Sequence, residues 1–103
     1  MFRVFRSDWY DSKLKKLTNV EQEICKNFEQ QLKEKPYAGK PLGYKFFREK
    51  RAEGYRFYFL IYEEYVVVFV ITLSDKKGQQ DAINKIKSLI PTYRQEIKKK
   101  LNL

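Results

Sequence analysis

The sequence predicts an α+β fold: an N-terminal strand, a helical hairpin, an antiparallel three-strand meander and a C-terminal helix. Three observations carry this. "FRVFRS" alternates apolar and polar residues at its start. Two stretches on either side of Thr18 place apolar residues at helical spacing. From Glu53 to Leu73, "EGYRFYFLIYEEYVVVFVITL" is almost wholly apolar and aromatic, which suits strands rather than an exposed helix.

Each element has a local reason. Phe2 to Ser7 has the period of a half-buried strand. "DWYDSKLKKL" then places Tyr10, Leu14 and Leu17 on one helical face. Thr18 and Glu21 have the spacing of a capping box that opens a second helix. Val20, Ile24, Phe28 and Leu32 form its apolar stripe, and Pro36 closes it. The two helices are expected to pack as a hairpin on one sheet face. Gly39, Pro41 and Gly43 mark a loop.

The meander follows. "YKFFREKR" is its first strand, "AEG" a turn, "YRFYFLIY" the second strand, "EE" a tight turn and "YVVVFVITL" the third. With the N-terminal strand this makes a four-stranded sheet. The last strand is apolar at nearly every position, so it is expected to be central or covered on both faces. Strand parity separates Tyr55, Phe57, Phe59 and Ile61 from Arg56, Tyr58, Leu60 and Tyr62. Arg56 thus shares a face with two tyrosines. An unpaired buried guanidinium is very costly, so that face is expected to be partly wet. Beyond Asp75, Ala82, Ile83, Ile86, Leu89 and Ile90 restore a helical stripe; Pro91 breaks or kinks it before Tyr93, Ile97 and Leu101.

Length and composition bound the function. The chain of 103 residues suits one domain over 1–103, with 43% hydrophobic residues to build a core. No apolar run reaches the roughly 20 residues of a membrane helix, and no secretory leader is visible, so no membrane association is expected. The lone Cys25 permits no intramolecular disulfide and fits a reducing cytoplasm. It falls on an apolar helix face and, without any histidine to activate it, reads as a packing thiol. A net charge of +9 favours polyanionic partners, although a solvated lysine-rich surface would give the same total. The run Lys98 to Lys100 reads as such a solvated helix face.

The element order, "GYRFYFLIY" with an acidic turn and "VVVFVITL", and "KK" after the last strand resemble the RelE/ParE toxin superfamily. The resemblance covers nearly the whole chain by element order and is densest from Leu42 to Ile86. "KPLG", "REKR" and "GYR" resemble its loop, second strand and short signature. "DKKGQQDAINKIK" resembles the HigB-like branch, where paired lysines precede a final helix.

The resemblance implies a RelE-like domain that acts as the toxin of a toxin-antitoxin system. Its partners would be an acidic antitoxin and messenger RNA, cut on the ribosome without a cofactor or metal. Such cleavage uses the RNA's 2′-hydroxyl as nucleophile. It needs proton transfer at two oxygens and stabilisation of a dianionic phosphorane-like state. With no histidine, two imidazoles cannot share that work. By resemblance Arg56 contacts the scissile phosphate, and Arg51, Glu49 and Lys77 join it as catalytic residues. Glu49 would orient an arginine or act as base. Arg48, Lys50, Lys76 and Lys45 would bind RNA. One departure is plain: RelE carries an arginine and then a tyrosine after its last strand, whereas here a long helix follows. Two other readings are a ParE-like toxin that poisons DNA gyrase and a non-catalytic nucleic-acid- or protein-binding member of the fold. For Arg56 itself, the competing reading is a strand-end ion pair with Glu49, Glu53 or Glu63.

Overall fold

The computed structural model describes all residues, 1–103. The strands are β1 (Arg3–Arg6), β2 (Lys40–Tyr44), β3 (Phe47–Ala52), β4 (Tyr55–Tyr62) and β5 (Val67–Ser74). The helices are α1 (Asp8–Leu14), α2 (Asn19–Glu34), α3 (Gln79–Ser88) and α4 (Ile90–Lys100). The strands form one sheet in the order β1-β5-β4-β3-β2. β2 to β5 pair antiparallel, while β1 lies parallel to β5.

The expected elements form, with corrections. The sheet has five strands, not four. Lys40–Tyr44, expected as a loop, is an edge strand with a register shift between Pro41 and Tyr44. An edge strand tolerates proline because one of its sides needs no ladder donor. β3 begins at Phe47 rather than Tyr44, since Lys45 and Phe46 make the turn from β2. The turn after β4 is a short 3-10 segment, Glu63–Tyr65, closed by Val66 in the left-handed region at φ 53°. The C-terminal helix is two helices that break at Leu89, with Pro91 in the first turn of α4. Proline is accepted there because first-turn N–H groups lack intrahelical partners.

Both faces of the sheet are covered, by parity. Phe57, Phe59, Ile61, Val68, Val70 and Leu73 pack against Tyr10, Cys25, Phe28 and Leu32 of α1 and α2. Phe28 stacks on Phe57 with ring centroids 4.1 Å apart. On the other face Phe47, Tyr58, Leu60, Tyr62, Phe69 and Ile71 meet Ala82, Ile83, Ile86, Tyr93 and Ile97 of α3 and α4. β5 is therefore sealed on both sides, as its continuous apolar pattern requires. Val20 departs from its expected stripe: it lies in the first turn of α2 and is 74% exposed. The Thr18–Glu21 capping box forms in full.

The edge of β5 is finished in an unusual way. β1 pairs only with Val67 to Val70. Beyond it α1 runs along the same edge and supplies side-chain donors. Ser7 Oγ donates to the Ile71 carbonyl at 2.5 Å and caps α1 by accepting from Tyr10 N. Lys13 Nζ donates to the Leu73 carbonyl at 2.6 Å. Two side chains thus satisfy carbonyls that a longer β1 would have paired.

Candidate functional site

Register decides which charged residues meet. In the β3–β4 ladder Arg51 pairs with Arg56, Glu49 with Tyr58 and Phe47 with Leu60. Paired residues share a face, so Glu49, Arg51 and Arg56 project together on the α3/α4 side. They lie at the end of the sheet where β4 begins and β5 ends. There Arg56 pairs with Ser74, and the loop carrying Lys76 and Lys77 leads into α3. Both lysines are exposed, as is Arg51. Lys40, which the sequence reading did not single out, pairs with Glu49 from the β2 side and is exposed as well.

Arg56 is not on a wet face. It is 7% exposed and Glu49 3%. α3 covers this end of the sheet, and a carboxylate makes the covering tolerable. Arg56 Nη1 donates to Glu49 Oε1 at 3.0 Å. Gln79 Nε2, at the start of α3, donates to both Glu49 oxygens at 3.0 and 3.2 Å. Glu49 thus holds Arg56 in an ion pair, and its oxygens already accept from two side chains. Of the three candidate ion-pair partners for Arg56, Glu49 is the one that forms. Gln79 was missed in the sequence because an amide beside two lysines carries no signal of its own.

A second pair deepens the floor. The hydroxyls of Tyr58 and Ser74 lie 2.8 Å apart. Ser74 Oγ donates to the Asp75 carbonyl at 2.9 Å, so the phenol is the donor to Ser74. Burial pushes the Tyr58 phenol above its ordinary value, which keeps it protonated at neutral pH.

The same parity removes other candidates from this face. Arg48 and Lys50 pair with Phe59 and Phe57 and so project to the α1/α2 side. The Arg48 guanidinium is held by the carbonyls of Gly39, Lys45 and Tyr37 at 3.1, 2.7 and 3.3 Å, and lies over the Tyr37 ring. Lys45 Nζ sits 5.6 Å from the same ring. The eight candidates thus divide: Glu49, Arg51 and Arg56 share a face, Lys76 and Lys77 follow in the loop after β5, Arg48 and Lys45 gather at Tyr37, and Lys50 projects to the other face while lining a cavity with Glu49 and Arg51. Gly39, whose carbonyl takes one of these bonds, lies so close to β3 that a Cβ there would stand 2.7 Å from the Glu49 carbonyl. Cys25 is buried and unpaired, as a packing thiol should be; burial raises its pKa.

No family model matches the chain, and a search of curated proteins returns no match. Solved structures do match. The RelE–RelB toxin-antitoxin complex of Escherichia coli aligns at TM-score 0.63 and 25% identity, over 73% of this chain and 96% of that one. The isolated E. coli RelE toxin aligns at 0.65 and 22% identity, over 84% and 99%. A toxin-antitoxin complex of Mycobacterium tuberculosis, RelBE2, aligns at 0.66 and 22%, over 73% and 91%. The four helices and mixed five-stranded sheet are thus the RelE fold.

Proposed function

We infer, from a chain that shares the RelE fold, that it is the toxin of a toxin-antitoxin pair and that it cleaves messenger RNA. Support for the toxin role comes from the likeness to toxins solved with their antitoxins. Support for RNA as substrate comes from one local observation. A buried arginine held by a carboxylate, Arg56, stands beside an exposed one, Arg51, below a loop with two exposed lysines.

The chemistry assigned to these groups is electrostatic. The 2′-hydroxyl gives its proton to solvent water as its oxygen attacks the adjacent phosphorus, the bond from phosphorus to the 5′-oxygen breaks, and a 2′,3′-cyclic phosphate forms. Charge grows on the non-bridging oxygens in the transition state. Arg56 is fixed in advance by Glu49 and Gln79, so it stabilises that charge without reorganising. Arg51 adds a second fork, and a guanidinium suits two phosphate oxygens better than an ammonium does. Lys77 protonates the departing 5′-oxygen, and Lys76 holds the flanking backbone.

The test is induced expression, with and without the gene of a short acidic partner, followed by mapping of mRNA ends. New translation-dependent ends that the partner suppresses support the reading. Growth arrest with intact mRNA and altered plasmid supercoiling would replace it with gyrase poisoning. No arrest at all would leave a binding protein of the same fold.

A further inference from the structure

A second cluster of cations lies beside the proposed site and takes no part in it. Trp9 opens α1, and its indole packs at the margin of the core beneath α3 and α4. Two ammonium groups approach that ring, Lys13 Nζ at 5.1 Å and Lys85 Nζ at 4.6 Å from its centroid. One comes from α1 and the other from α3, so the fold brings them together from sequence positions far apart. They line a shallow cavity of about 250 Å³ with Trp9, Ser74, Gly78 and Asp81.

The two ammonium groups share this cavity with one carboxylate, Asp81, but neither is closely paired. The ion pairs of the chain are Arg6–Glu29, Arg56–Glu49 and Arg94–Glu64, and neither Lys13 nor Lys85 takes part. Burial disfavours the charged form of Lys13; the charge of Asp75 partly offsets this and that of Lys85 adds to it. Two like charges thus lie near one indole ring without a carboxylate in salt-bridge range. Cation–π attraction and the more distant Asp75 and Asp81 balance part of that charge. A phosphate would supply the close counter-charge that both ammonium groups lack.

We propose that Lys13 and Lys85, gathered over Trp9, form a second subsite that binds a backbone phosphate of single-stranded RNA next to the cleavage site. The proposal rests on the RNA reading above and adds a place on the strand. Ser74 supplies the continuity: it lines this cavity, pairs in register with Arg56 and holds the Tyr58 hydroxyl. A strand with one phosphate at Arg56 would run past Ser74 toward this cavity.

Trp9 is the chain's single tryptophan, so the site reports on itself. The probe is a short single-stranded RNA with 2′-O-methyl groups, which lacks the attacking hydroxyl. Wild-type protein is titrated with it at several salt concentrations, and both Trp9 emission and probe anisotropy are followed. Trp9 emission should change as the probe binds. Lys85→Ala should weaken binding several-fold and lower the slope of log K against log salt by about 0.7, one phosphate of a single strand. Lys85 is exposed and makes no hydrogen bond to the β5 edge, so this variant avoids the structural task of Lys13; an unchanged thermal midpoint checks that. Lys85→Arg should restore most of the slope.

Wild-type binding to RNA with Lys85→Ala unchanged in affinity and slope would overturn the subsite and leave the RNA reading standing. No binding by wild type would overturn both. An acidic peptide that moves Trp9 emission through Lys85 while RNA does not would assign the cluster to a protein partner and overturn the proposal as stated.

Discussion

Arg51 and Arg56 are register partners across the β3–β4 ladder, one exposed and the other buried. Like charges directly opposite one another oppose strand pairing. Glu49, diagonal to Arg56 and on the same face, offsets this by accepting from the inner arginine at 3.0 Å. The outer arginine is left with its charge unpaired and facing solvent.

Arg56→Ala should therefore destabilise the fold. It leaves Glu49 buried with only the Gln79 amide for company, and breaking a buried pair costs about 3–5 kcal/mol. Urea denaturation measures it. Replacing both partners by Arg56→Met and Glu49→Leu should cost less than the sum of the single changes. A loss below about 0.5 kcal/mol for Arg56→Ala would mean that the pair is solvated.

Arg51→Ala and Lys77→Ala probe the chemistry without that complication. Both side chains are exposed, so stability should change by no more than about 0.5 kcal/mol. Loss of one group that stabilises charge in the transition state typically lowers the rate ~100- to 1000-fold. Lys98→Ala, on α4, should cleave like the parent. Full cleavage by Arg51→Ala would remove Arg51 from the site.

Ser7→Ala should be costly for so small a change. It removes the cap of α1 and leaves the Ile71 carbonyl without its donor. Each loss is worth about 1–2 kcal/mol. Ser88→Ala is the comparison, since its hydroxyl bonds a carbonyl on an exposed helix end. Equal midpoints for the two variants would show that the β5 edge does not depend on Ser7.

Stability should decline in alkali. Burial raises the Tyr10 phenol above its ordinary value; the neighbouring Glu29 carboxylate, to which it donates, adds to this. A raised folded-state pKa favours the protonated form. The stability it contributes is complete below the unfolded value of about 10 and is lost progressively as pH rises above it. Unfolding then releases protons. Urea midpoints from pH 8 to 11 should fall, and Tyr10→Phe should flatten the decline. A midpoint independent of pH in that range would contradict the assignment.

The parity of "YRFYFLIY" was legible in the sequence, but the face of Arg56, expected to be partly wet, is a second sealed core. The helix stripes and the break near Pro91 were legible too. What escaped depends on contacts distant in sequence. β2 was hidden by Pro41 and Gly43, which signal a loop unless an edge position is known. The burial of Arg56 was hidden because its partner Glu49 comes from β3 and is itself held by Gln79 of α3. The separation of Arg48 and Lys50 from Glu49 and Arg51 follows from the alternation of "REKR" itself.

The parallel pairing of β1 with β5 also constrains when the molecule can take shape. Ser7 meets Ile71, 64 residues later, and Arg3 meets Val67. Closing so long a loop is slow compared with forming the β4–β5 hairpin or the α1–α2 hairpin. During synthesis, which adds roughly 5–20 residues each second, the first strand waits for the fifth to leave the ribosome. The Lys13 anchor waits as well, because Leu73 comes later still. The first strand and Ser7 are thus among the last to settle, although they are made first.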